Sequence, residues 1–159
     1  MVWPILRINT VSLFMKTPDQ VRWDFVQQWL SKASQDLSAA VALLEVQFES
    51  YDAVGFHAQQ AVEKLMKAFL VCHQVEFPKT HNISLLRDLV AKKNQALSDK
   101  LSSMESLTAY GVEYRYPGIY DSISSGQATE ALRLAKMASD EILSTLESYL
   151  KAGRPREKT

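Results

Sequence analysis

Cysteine and histidine are scarce in this chain, and their scarcity removes most metal and thiol chemistry. One cysteine, Cys72, and three histidines occur in 159 residues. A lone thiol builds no disulfide framework, which fits a reducing cytoplasm, the compartment expected for the protein. Zinc sites need Cys and His ligands at fixed spacings, and none is present. Di-metal helical bundles need a Glu-x-x-His pair on each of two helices, and that is missing too. There is no Walker loop and no nucleophile elbow. The expectation is a protein with no metal and no cofactor. Lys plus Arg and Asp plus Glu each number 18, so the formal net charge is zero. The footprint of a general nucleic-acid binder is therefore lacking, and any basic patch has to be local. No apolar run approaches the roughly 20 residues of a membrane span, so no membrane association is expected. Strand alternation, internal repeats and low-complexity segments are absent as well.

What is present is helical periodicity. From Asp19 to Phe48, apolar residues at Phe25, Trp29, Ala33, Leu37, Ala40, Val41, Leu44 and Phe48 recur at helical spacing with no Gly or Pro between them, which predicts one long buried face. A short break precedes a second helix from Asp52 to Gln74, whose apolar arc runs from Val54 through Ala58, Val62, Leu65 and Phe69 to Cys72. The connection is too short for a crossover, so the two form an antiparallel hairpin. Cys72 on that arc reads as a small buried hydrophobe and not as a nucleophile. Thr80 or Asn82 is placed to cap a third helix from Ile83 to Lys93. A fourth is expected from Leu97 to Tyr114, and a fifth from Ser125 to Lys151 through Ala128, Ala131, Ala135, Ile142 and Leu146. The length fits one domain with a real core, an all-α up-and-down bundle of four to five helices over residues 18–151. Residues 1–17 read as an N-terminal extension. Arg7, Asn9 and Thr10 break its apolar run, so it makes a poor signal peptide, and Met15 is a candidate start. Residues 152–159 read as a flexible basic tail.

Three groups of residues invite a functional reading. On the second helix His57, Gln60, Lys64 and Lys67 form a stripe beside the apolar arc, a set able to hold a phosphate or an RNA backbone. The plainer reading is that the lysines bury their stems and solvate their heads, and that His57 is a satisfied structural residue. After the fourth helix, Arg115 stands between Tyr114 and Tyr116 just before Pro117-Gly118. A planar cation between stacking rings suits a nucleotide phosphate and base, and it equally suits an arginine capping the last carbonyls of a helix. Lys79 and His81 add a third cationic spot ahead of a helix N-terminus, where backbone N–H groups favour anions.

Taken in order, YDAVGFHAQQAVEKLMKAFL, PKTHNISLLRDL and EYRYPG resemble the HEPN family, the "higher eukaryotes and prokaryotes nucleotide-binding" domains, over residues 20–150. The resemblance implies an all-α bundle, a homodimer, and a gene neighbour encoding a small nucleotidyltransferase in a toxin–antitoxin or defence pair. Many members are metal-independent ribonucleases with an Arg-x4–6-His motif, whose imidazole assists attack of the 2′-hydroxyl on the adjacent phosphate. Arg115 matches that arginine, but Tyr120, Asp121 and Ser122 occupy the positions where the histidine belongs. The missing proton acceptor argues against enzyme activity by this motif. The expected role is binding of a nucleotide or RNA phosphate through Arg115, Tyr116, Lys64, Lys67, Lys79 and His81. Two alternatives stand beside it. One is an RNA-cleaving toxin of divergent motif, with Arg115, His57 and His81 as catalytic candidates. The other is a purely structural dimerisation module.

Overall fold

The computed structural model describes residues 15–46, 50–113, 117–118 and 121–156. Helix α1 (Pro18–Glu45) opens on a capping box: Thr17 Oγ1 accepts from the Gln20 amide while Gln20 Oε1 accepts from the Thr17 amide. Two donors that a helix start leaves open are thereby satisfied, and Pro18 in the first turn gives up an N–H that has no helical partner. Helix α2 (Asp52–Cys72) returns along α1 and also touches each of the other long elements. It is the axis of the fold, with Val54, Ala58, Val62, Met66, Phe69 and Leu70 wholly buried. The seam on α1 runs through Val26, Ala33 and Ala40, where two alanines admit the α2 backbone closely. Ala33 and Ala40 belong to the expected face, and Val26 takes the place expected of Phe25. Phe25 lies beside the seam and not in it, 51% exposed, and Phe48 lies outside the described residues.

Helix α3 (Ile83–Ala91) is capped by Asn82, whose side chain accepts from the Leu85 amide. Thr80, the other candidate cap, accepts instead from the Asn82 amide and shapes the preceding loop. The expected fourth helix is three pieces: α4 (Gln95–Lys100), a 3₁₀ helix (Ser102–Leu107) and α5 (Thr108–Val112). The buried residues Leu101, Met104 and Leu107 are three apart, which suits the three residues per turn of a 3₁₀ helix. Asn94 starts the run early by accepting from the Leu97 amide. Helix α6 (Ser125–Thr145) has a second capping box, Ser124 with Gln127. The expected single closing helix breaks at Leu146, a buried side chain, before α7 (Glu147–Ala152).

Gly153 at φ +75° then turns the chain back to α1. There Gln20 Nε2 donates to the Pro155 carbonyl at 3.0 Å and Arg154 pairs with Asp24 at 3.1 Å. Residues 157–159 of the basic terminal segment lie outside the described residues. No strand occurs among the described residues, and the molecule is an all-α helical bundle. One large core joins α2, α3, α6 and the 3₁₀ helix, and a smaller one gathers Ala40, Val54, Ile123, Ala128 and Leu132 at the hairpin end.

Candidate functional site

A carboxylate buried in the middle of α2 organises the polar side of the fold. Glu63, its side chain 3% exposed, accepts from Lys67 Nζ at 2.6 Å on one oxygen and from His81 Nδ1 at 3.0 Å on the other. Gln59 Nε2 at 3.2 Å and Gln60 Nε2 at 3.4 Å also donate to it. The remaining amide hydrogens are used as well. Gln59 donates to the His81 carbonyl at 3.1 Å, and Gln60 donates to Gln59 Oε1 at 2.8 Å. Lys67, 8% exposed, gives a second hydrogen to the Thr80 carbonyl at 3.1 Å. Its ammonium also lies 5.2 Å from the Trp29 ring centre and 5.8 Å from that of Phe77, within cation–π range. Buried charges of this kind persist only when every donor and acceptor is satisfied. Here the satisfaction comes from the Phe77–Asn82 loop, which is thereby latched onto α2.

The stripe expected along α2 separates into two clusters in three dimensions. His57 Nδ1 meets Asp36 of α1 at 2.9 Å, and Lys64 pairs with the other oxygen of the same carboxylate. Gln60 and Lys67 belong to Glu63. Lys64 and Lys67 are thus both ion-paired, and their heads are mostly withdrawn from water. Each imidazole Nδ1 faces one oxygen of a carboxylate whose other oxygen accepts from an ammonium. In both rings Nε2 has no partner among the described residues. The His81 side chain is 47% exposed and that of His57 30%.

Gln59 is also where the chain ahead of Arg115 comes to rest. A Cβ on Gly111 would lie 2.5 Å from the Gln59 side chain, and one on Gly55 would lie 2.8 Å from Ile123. A side chain at either position would force the facing one to move. Thr108 Oγ1 accepts from the Ile83 amide at 3.4 Å, so α5 runs beside the loop that carries His81. On the far side of the Arg115 segment, Asp52 accepts from the Ile123 amide at 2.8 Å and from Ser122 Oγ at 3.2 Å. Both flanks of the segment are anchored on the first half of α2. Tyr114, Arg115, Tyr116 and Tyr120 themselves lie outside the described residues. Lys79 is exposed and has no ion pair among the described residues.

The third histidine, His73, stacks on Phe69 at 4.2 Å, and burial, with Lys93 nearby, pushes its pKa down. Cys72 is half-buried, and burial raises its thiol pKa, which disfavours the thiolate. Among the described residues no group of three or more His, Cys, Asp or Glu is placed to hold a metal ion, and no helix is long and apolar enough to cross a membrane. Glu63, Gln59 and Asp36 are the residues that sequence reasoning passed over. Gln59, Glu63 and Lys67 are spaced four apart on an otherwise buried helix, and a polar run at that spacing was the available signal. Asp36 offered none, because its partners lie on another helix.

In comparison with protein families, a family model described as the HEPN domain matches residues 26–146. Comparison with curated proteins and with solved structures gives no match.

Proposed function

This chain belongs to the HEPN domain family, and from that premise we propose that it binds a nucleotide or an RNA phosphate. We place it as a homodimer, or as partner of a small nucleotidyltransferase in a toxin–antitoxin or defence pair. The observation that carries the binding half is the meeting at Gln59. The His81 carbonyl accepts from it at 3.1 Å, and Gly111, four positions before Arg115, rests against it. Lys79 and His81 stand on the loop beside Gly111, and with Arg115 four positions further along the chain they would supply the cations and N–H donors that phosphate oxygens require. Tyr116 beside Arg115 adds a stacking ring. Lys64 and Lys67 serve this site by holding α1 and the loop in place.

Anisotropy of a labelled single-stranded RNA, measured across salt concentrations, tests the reading. Affinity is expected to fall with salt by roughly 0.7 log units per log unit for each phosphate neutralised, and Lys79→Ala or Arg115→Ala to weaken it. No saturable binding at millimolar RNA or ATP, a regime worth about 4 kcal/mol, would leave a structural dimerisation module.

The His81–Glu63 pair favours a second reading, in which Arg115 stabilises a phosphorane and His81 Nε2 takes the 2′-hydroxyl proton. His57 with Asp36 is the other candidate base. RNA cleavage in EDTA that disappears in His81→Ala supports this reading. Cleavage unchanged in both His57→Ala and His81→Ala rejects it.

A further inference from the structure

A groove along α1 carries chemistry that the Gln59 region does not use. Phe25, Gln28, Trp29 and Lys32 share one face of the helix by their three- and four-residue spacing, and Lys64 of α2 closes a cavity of about 820 Å³ lined by these residues. That volume falls within the roughly 300–1,000 Å³ of small-molecule clefts. Phe25 stands 51% exposed in it, a ring left half in water on a concave surface. Trp29 is fixed by Phe77, edge-on at 6.4 Å, and by the Lys67 ammonium. The charge of Lys64 is taken up by Asp36. Lys32 has no ion pair among the described residues.

Two aromatic rings, a glutamine amide and one uncompensated ammonium match the parts of a nucleotide: stacking for the base, an amide for its edge, a cation for its phosphate. A purely apolar occupant would bury Gln28 and Lys32 without partners. We propose that this groove is a base-stacking subsite for a nucleotide of single-stranded RNA, with the base on Phe25 and Trp29 and its phosphate on Lys32. This rests on the phosphate-binding reading above and adds a base-recognising position to it. The two regions adjoin through Lys67, which touches the Trp29 ring at 5.2 Å and the Thr80 carbonyl, between Lys79 and His81, at 3.1 Å.

The test uses the full chain with Trp3→Phe and Trp23→Phe, so that Trp29 alone reports. AMP and a hexaadenylate RNA are expected to quench its fluorescence saturably, and inorganic phosphate is not. With Trp29 intact, Phe25→Ala and Lys32→Gln are each expected to weaken hexaadenylate binding at least about fivefold, and Phe25→Tyr to restore it. Both positions are exposed, so the fold survives these changes. RNA binding that persists in Phe25→Ala and Lys32→Gln but is lost in Lys79→Ala overturns the subsite and leaves the phosphate reading standing. A change of oligomeric state in Phe25→Ala with unchanged RNA affinity also overturns it, and makes the groove an interface between copies of the chain. No RNA binding by the parent protein overturns both readings.

Discussion

Glu63 is the residue on which both stability and the site depend. Its carboxylate neutralises Lys67 and holds His81, so Glu63→Gln leaves a buried ammonium without its counter-charge. Removing one partner of such a pair is expected to cost about 3 kcal/mol in urea unfolding. Replacing both members, with Glu63→Leu and Lys67→Met together, is expected to cost less than the single change, because no charge is stranded. A double variant less stable than Glu63→Gln would show that the network acts mainly through hydrogen bonds and not through charge. Gly111 gives a second test at this scale. Gly111→Ala puts a methyl 2.5 Å from the Gln59 side chain, and overpacking of that kind costs about 1–3 kcal/mol. Gln59→Ala added to it is expected to recover part of that loss, and strictly additive costs would mean that the two residues do not meet.

At the scale of elements, the capping boxes and the return of the chain end onto α1 decide where helices start and how the bundle closes. The Arg154 guanidinium, with Lys16, lowers the Asp24 pKa to about 2 from its ordinary 3.8. A carboxyl depressed in this way adds stability above the ordinary value and loses it as pH falls through about 2. Asp24→Asn is therefore expected to be slightly less stable than the parent at pH 7, with the gap closing between about pH 4 and pH 2. A gap that is constant with pH would mean that the ion pair is not formed in solution. The long helices were legible in the sequence because each has an apolar period; α2, which has no side-chain cap, was read from that period alone. The run after Asn94 was not read correctly. Leu101, Met104 and Leu107 fit a helix of either period over so short a span, and only packing against α2 and α6 selects the 3₁₀ turn. On α1 the expected face was right at Ala33 and Ala40 but took in the large Phe25 where the smaller Val26 is the buried residue. In the site, Lys64 and Lys67 were visible as cations and Glu63 was legible four residues before Lys67, but Asp36, which neutralises Lys64, is recognisable only once two helices are brought together.

For the molecule as a whole, a chain of zero net charge has to bind an anion locally, and the proposed place is the loop that Glu63 and Gln59 hold on the middle of α2. The three histidines report on this separately: His81 on that loop, His57 in the Asp36 clamp, and His73 packed on Phe69. Imidazole resonances in ¹H–¹⁵N spectra, followed while a single-stranded RNA is titrated in, locate the phosphate directly. His81 is expected to shift saturably, with a midpoint equal to the anisotropy Kd, while His73 stays in place. Saturable RNA binding that leaves the His81 resonances unmoved would contradict it.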